Sequence, residues 1–246
     1  EQTGCGEKDP GELIGDHPMT DGDRRKRDME LDRQEIKRET RRYLGYGKRE
    51  PDAATEEMIE SCIDELFRIC TPRFLERESS LTLPEGSAEI ITDAFQTESR
   101  NLRKNLEGCE RILFFGATLG AGADLLIQRY ERIRMSRALV LQAAAAACIE
   151  AFCDRENDRL KAEYEQKGWY MRPRFSPGYG DFSLECQKGI LGALEAGKRI
   201  GITLTDSLLM APSKSVTAVI GLSRVPGHCT VKGCEACGKA DCAYRR

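Results

Sequence analysis

The chain has 246 residues, of which 38 are basic and 41 acidic, giving a formal net charge of −3. This length suits one large domain with a real hydrophobic core, and the balanced charge argues against nucleic acid as a partner. The longest apolar run, residues 138–149, is too short and too rich in alanine to span a membrane, so we expect no membrane partner.

Eleven cysteines occur in a sequence whose amino end is polar, mixed in charge and without a secretory signal. Disulfides are typical of secreted proteins, so this pattern favours a reducing compartment in which the thiols are buried or bind metal. We therefore expect a cytoplasmic protein.

The first 28 residues contain little apolar material and show no hydrophobic period, which predicts a disordered arm over residues 1–28. The folded domain is expected over residues 29–223. It begins with a charged helix over residues 30–43. A second helix is predicted over residues 56–70, where apolar residues recur every three to four positions and include two expected core thiols, Cys62 and Cys70.

The next part of the chain predicts a strand over residues 78–83, a helix over residues 88–106 and a short apolar strand over residues 111–115. A glycine-rich segment, residues 116–124, follows that strand and precedes a helix over residues 124–134. Such a segment can cradle phosphate, but its spacing matches neither Gly-x-Gly-x-x-Gly nor a Walker A motif. We interpret it as a tight turn.

A long helix is predicted over residues 136–167, and five consecutive alanines in its middle allow another segment to approach its backbone closely. Glu150 follows the last of these alanines by about one helical turn and lies on the same face of the helix, where the side chains are small. An acid at this place is either the exposed edge of an amphipathic helix or the carboxylate of a binding site.

The segment Arg174-Phe-Ser-Pro177-Gly178-Tyr179 joins this helix to the last apolar block. Proline presets φ and glycine tolerates positive φ, so Pro177-Gly178 predicts a type II turn that holds Arg174 and Tyr179 close together. A guanidinium suits a carboxylate, and a tyrosine ring can cover an apolar or cationic group. An ordinary connecting loop is the alternative. Arg174 can reach Glu150 if the chain doubles back at Gly168.

The last elements are predicted as a helix over residues 184–200 and two strands over residues 204–210 and 216–222. Together the elements predict a single α+β domain, with helices packed on an antiparallel β-sheet.

The carboxyl-terminal tail, residues 224–246, contains Cys229, Cys234, Cys237 and Cys242 within fourteen positions. Thiolates at this spacing can surround one soft metal centre, which predicts a metal-binding tail. The compact spacing favours an iron–sulfur cluster, while the Cys-x-x-Cys-Gly portion is similar to half of a zinc knuckle, so zinc remains open.

Two motifs give the sequence a resemblance to a known family. The motif Arg174-x-x-x-Gly178-Tyr179 is followed, after a predicted helix, by Leu-Thr-Asp-Ser-Leu-Leu-Met-Ala-Pro at residues 204–212. This arrangement resembles the activation domain of cobalamin (vitamin B12)-dependent methionine synthase. In that family the Arg and Tyr bind S-adenosylmethionine, and an acid in an Ala-Glu-Ala-Phe string contacts the ligand. The matching string here is Ile-Glu150-Ala-Phe.

The resemblance implies a free-standing activation component that binds S-adenosylmethionine through Glu150, Arg174, Gly178 and Tyr179. It also implies a separate partner, either a cobalamin-binding methionine synthase or a related corrinoid protein. The inactive cobalamin would receive one electron and then the methyl group of S-adenosylmethionine, and an iron–sulfur cluster in the tail could deliver that electron. The alternative is a non-catalytic docking or chaperone module for a cobalamin enzyme, with a structural zinc site in the tail.

Overall fold

The computed structural model describes residues 31–47 and 49–226 of the chain. The predicted arm and most of the predicted tail lie outside these residues. In chain order the helices and strands are α1 (Arg33–Tyr43), α2 (Ala53–Ile69), β1 (Arg73–Ser80), β2 (Glu89–Ile91), β3 (Gln96–Glu98), α3 (Arg100–Asn105), β4 (Arg111–Thr118), α4 (Ala121–Ile133), α5 (Met135–Gln166), β5 (Tyr170–Met171), α6 (Cys186–Ala193), α7 (Ala196–Arg199), β6 (Thr203–Leu204), β7 (Met210–Ala211) and β8 (Ser215–Ser223).

A four-stranded sheet in the order β1-β4-β8-β5 forms the middle of the domain, and each pair of neighbours is antiparallel. Successive side chains of a strand point to opposite faces. In β4 this alternation sends Leu113 and Phe115 to one face and Ile112 and Phe114 to the other, and all four are fully buried. Both faces of the sheet are therefore covered.

Each face of the sheet carries its own hydrophobic core. Helices α1, α2, α4 and α5 supply the core on the face of Phe115. Helices α3, α6 and α7, together with the β2–β3 hairpin, supply the core on the face of Phe114. The architecture is helices packed on an antiparallel sheet, so the predicted α+β class is confirmed.

Helix α5 is the central element of the first layer. By length and composition it could cross a membrane, and it is the only such helix in the described part of the chain; 61% of its most apolar stretch is buried inside the protein. Its alanines at residues 143–145 are buried against its neighbours. The apolar character of α5 thus follows from its place in the core, where small side chains permit close packing.

The predicted helix over residues 88–106 is wrong in its first half, which forms the β2–β3 hairpin. Thr92 organises the reversal, because its hydroxyl accepts hydrogen bonds from the backbone N–H groups of Ala94 (3.2 Å) and Phe95 (3.0 Å). This local bonding competes with a helix, as threonine commonly does in turns. In this extended conformation Ile90 is fully buried in the second core, and its burial stabilises the hairpin.

Three other predicted elements differ from the structure. The strand expected over residues 78–83 lies earlier, as β1. The helix expected over residues 184–200 is interrupted at Glu195, which has a left-handed φ of 50° between α6 and α7. The strand expected over residues 204–210 is a tight hairpin of β6 and β7, because the chain reverses through Leu208, whose φ is 63°. Such conformations depend on tertiary packing.

Candidate ligand-binding site

The turn after Arg174 has the predicted geometry. Gly178 has φ of 91°, and the backbone N–H of Tyr179 donates to the carbonyl oxygen of Ser176 over 3.2 Å. These features define a type II turn with Pro177 and Gly178 at its centre, and the positive φ explains the glycine. The Tyr179 side chain is 69% exposed, so its ring is available at the surface.

The segment before the turn runs along the outer edge of the sheet. The chain reverses at Gly168, whose φ is 72°, and Trp169 N–H donates to the carbonyl oxygen of Tyr164 over 2.9 Å. Beyond β5, Phe175 and Val219 exchange two backbone hydrogen bonds of 2.9 Å each. The expected doubling back at Gly168 is thus observed, and it returns Arg174 to helix α5.

Two groups hold the guanidinium of Arg174. Its Nη2 atom donates to Oδ1 of Asp154 on α5 over 2.6 Å, and its Cζ atom lies 5.5 Å from the centroid of the Phe115 ring. The Arg174 side chain is 19% exposed, whereas that of Asp154 is 52% exposed. The Nη1 atom is buried and has no hydrogen-bond partner among the described residues. One arm of the guanidinium is therefore fixed, while the other is buried without an acceptor among the described residues.

Glu150 lies one helical turn before Asp154 on α5 and is half-buried. It forms no ion pair within the part of the chain that the structure describes, so the acid that pairs with Arg174 is Asp154. The ring contact of Arg174 is with Phe115, and the described residues show none between Arg174 and Tyr179. The structure therefore places Arg174 close to the turn of α5 that carries Glu150, and leaves Tyr179 on the exposed turn.

Asp181 ties the turn to helix α3. Its carboxylate accepts hydrogen bonds from the Ser99 hydroxyl and from the backbone N–H groups of Arg100 (2.8 Å) and Asn101 (3.1 Å). These bonds, with that of Ser99 foremost, lower the pKa of Asp181 below its usual value. The turn that presents Tyr179 is thus anchored at its far end.

Three residues of this site were not predicted from the sequence: Phe115, Asp154 and Asp181. A signal for Asp154 was present, because it follows Glu150 by four residues and therefore shares its helix face. Asp181 follows the turn directly, where acids often bind backbone N–H groups. No local signal pointed to Phe115, which meets Arg174 only through the packing of the sheet against α5.

The glycine-rich segment before α4 has a packing role. A Cβ atom at Gly120 would lie 2.6 Å from Oγ1 of Thr71, and one at Gly122 would lie 2.7 Å from the carbonyl oxygen of Ile69. Both contacts are too short for any side chain, so the glycines allow α4 to begin against the end of α2. This agrees with the interpretation as a tight turn rather than a phosphate loop.

The described residues contain no group of three or more His, Cys, Asp or Glu side chains placed to hold a metal ion. Cys62 and Cys70 are buried, as predicted for core thiols, and burial raises the pKa of the first to about 11 and of the second to about 12. They therefore stay protonated at neutral pH. The four tail cysteines, Cys229, Cys234, Cys237 and Cys242, lie outside the described residues.

No protein-family model matches the sequence, and no curated protein sequence matches it either. Among solved structures, the chain is similar to the crystal structure of the MetH reactivation domain bound to AdoHcy. The TM-score is 0.54 at 17% sequence identity, and the match covers 72% of this chain and 68% of that one. At this identity the likeness concerns the fold, and the chain has the fold of the MetH reactivation domain.

Proposed function

We propose that this protein binds S-adenosylmethionine at Arg174 and acts in the reductive reactivation of a corrinoid protein, such as a cobalamin-dependent methionine synthase. The observation that carries the proposal is the free, buried Nη1 atom of Arg174 beside the Arg-x-x-x-Gly-Tyr turn. The shared fold supports it, since the solved MetH reactivation domain was crystallised with AdoHcy, the demethylated form of the proposed ligand.

The proposed roles follow from the charges of the ligand. Arg174 would bind its carboxylate through Nη1 while Asp154 keeps the guanidinium in place. Glu150, which has no ion pair in the described part of the chain, would face the ammonium group. Gly178 allows the turn to form, and the exposed Tyr179 ring would border the sulfonium or the ribose, because an aromatic face attracts a cation.

The ligand would supply a methyl group and leave as S-adenosylhomocysteine, and the corrinoid partner would receive that methyl group after accepting one electron. The chain's own residues would bind and orient the ligand at the edge of the sheet. The corrinoid partner is a separate protein in this proposal. We place the reaction in the cytoplasm, in keeping with the eleven cysteines.

Calorimetry with S-adenosylmethionine tests the site. Arg174→Ala should weaken binding by about 1.5–3 kcal/mol, the usual contribution of a charge-assisted hydrogen bond. Asp154→Ala should weaken it less, because it removes only the group that orients the guanidinium.

A matched control is Arg172→Ala, which removes the same charge from the same segment. The Nη2 atom of Arg172 donates instead to the backbone carbonyl oxygen of Glu107 over 2.9 Å, so binding should persist. Absence of binding to the unmodified protein, or equal loss in the Arg172 and Arg174 variants, would refute the site.

For the tail we propose an iron–sulfur cluster held by Cys229, Cys234, Cys237 and Cys242, which would pass the electron to the corrinoid. Anaerobic purification should then give a brown protein that contains iron and acid-labile sulfide and bleaches with dithionite. Replacing Cys234 and Cys237 by Ser should remove the colour but leave S-adenosylmethionine binding at Arg174 intact. A colourless protein with one tightly bound zinc ion would instead support the docking or chaperone alternative.

A further inference from the structure

A cleft lies between helix α3 and the loop that precedes β2. Its volume is about 340 Å³. Neither Arg174 nor Tyr179 contributes to it. The cleft is lined by Gly86, Ser87, Ala88, Arg100, Arg103, Lys104 and Glu107.

The lining is basic, since Arg100, Arg103 and Lys104 face a single carboxylate, that of Glu107. Residues three and four apart share one face of a helix, so these three cations lie side by side and repel one another. In the described part of the chain, none of the three forms an ion pair. A multiply charged anion in the cleft would relieve this repulsion.

Arg103 supplies a second, independent observation. Its Nε atom is buried without a hydrogen-bond partner among the described residues, and its terminal nitrogens also donate to none of them. A buried donor without an acceptor is costly and rare. Nε and one terminal nitrogen form the side-on fork with which arginine binds two oxygens of one anion.

The loop before β2 forms the wall opposite α3, where Ser87 supplies a hydroxyl and Gly86 has no side chain. Ser87 Oγ accepts a hydrogen bond from the backbone N–H of Glu89 over 3.0 Å, which leaves its own O–H free to donate. A Cβ atom at Gly86 would meet nothing within 4 Å, so the rim is open at that point. The amino terminus of α3 is already occupied by Asp181, so the site consists of side chains from α3 and this loop.

We propose that this cleft binds a small phosphate-bearing anion. Its three basic side chains and one hydroxyl offer donors on two sides to the three oxygens of a terminal phosphate group. A monocarboxylate has one charge and two oxygens, and would leave cations of the cleft uncompensated. This inference does not depend on the proposed S-adenosylmethionine site.

Titration of the full chain with inorganic diphosphate, inorganic phosphate and acetate, followed by calorimetry at low ionic strength, tests the proposal. Diphosphate should bind saturably at one site per chain, phosphate more weakly and acetate not at all. Arg103→Gln should weaken diphosphate binding about tenfold or more, the usual effect of losing a charge-assisted pair. Lys104→Gln, at an exposed position, should weaken it in the same direction with little risk to folding.

The matched control is Arg132→Gln, which removes one exposed positive charge from α4 on the other face of the sheet and should leave binding unchanged. S-Adenosylmethionine binding should be the same in all these variants. Equal losses in the Arg103 and Arg132 variants would show binding to net charge alone. No saturable binding to the unmodified chain would overturn the proposal.

Discussion

At the scale of single residues, the two terminal nitrogens of Arg174 differ in their hydrogen bonding. Nη2 is committed to Asp154, while Nη1 is buried and without an acceptor in the described part of the chain. The Nε atom of Arg137 is also unpartnered, but its Nη2 donates to Glu65 and Ser61 inside the helical layer. Arg174 differs because its unpartnered atom is a terminal nitrogen and because a type II turn follows it directly in the chain.

Asp181 gives a prediction about pH. Its folded pKa is lower than its usual value of 3.8, so its hydrogen bonds stabilise the folded state fully at higher pH. That contribution should be lost as the pH falls below 3.8 through the lowered pKa. Asp181→Asn cannot titrate, so denaturant unfolding should show the wild type losing its advantage over this variant across that range. A stability difference that is constant with pH would contradict the role of the carboxylate.

At the scale of elements, helix α6 depends on a close approach to the β2–β3 hairpin. A Cβ atom at Gly189 would overlap the backbone carbonyl oxygen of Ala94, and that oxygen belongs to the tight turn made by Thr92. The hairpin that replaced a predicted helix is therefore one of the surfaces against which α6 packs, besides strands β4 and β8. Phe95 of the hairpin turn also packs on Phe182, which lies four residues before α6, with ring centroids 5.6 Å apart.

Two glycine substitutions in α6 test this contact. Gly189→Ala should destabilise the protein by roughly 2–3 kcal/mol, because a backbone carbonyl cannot move aside as a flexible side chain can. Gly192→Ala is the control, since its Cβ would meet nothing within 4 Å. It should stabilise the helix by up to about 1 kcal/mol. Urea denaturation of both variants gives the comparison, and equal effects would argue against the close approach.

At the scale of the whole molecule, the first helix of the described domain is held in place by its own cap and by contacts with α2 and the first core. Helix α1 is capped by Asp32, whose side chain accepts from the N–H groups of Gln34 and Glu35. It is joined to α2 by ion pairs that include Lys37 with Glu56 and Glu60. Ile36 of α1 is fully buried in the first core. The first helix of the described domain is thus capped by Asp32, the residue directly before it.

A chain shortened to begin at Met29 should therefore keep the melting temperature of the full chain. Residues 1–28 have too little apolar material to offset the entropy of ordering them, and the cap of α1 is retained. Thermal unfolding followed by circular dichroism gives the comparison. A drop of many degrees in the shortened chain would show that the arm contributes to folding.

Features that depend on residues adjacent in the chain were predictable from the sequence. Pro177-Gly178 specified a type II turn because the backbone preferences of those two residues suffice for it. The sequence also predicted α1, α2, α4 and α5, with a hydrophobic period as the argument for α2, and the predicted elements together indicated helices on an antiparallel sheet. The resemblance rested on this turn together with the Leu-Thr-Asp-Ser-Leu-Leu-Met-Ala-Pro segment at residues 204–212, and it indicated a fold that the structural comparison bears out.

The groups that surround Arg174, in contrast, are brought together by tertiary packing. Asp154 is 20 residues away in the chain, and Phe115 belongs to β4, one of the two inner strands of the sheet. Their meeting follows from the reversal at Gly168 and from the packing of α5 on β4, neither of which is a local preference. The hairpin over residues 89–98 was decided in the same way, because burial of Ile90 and the Thr92 turn outweighed helical propensity.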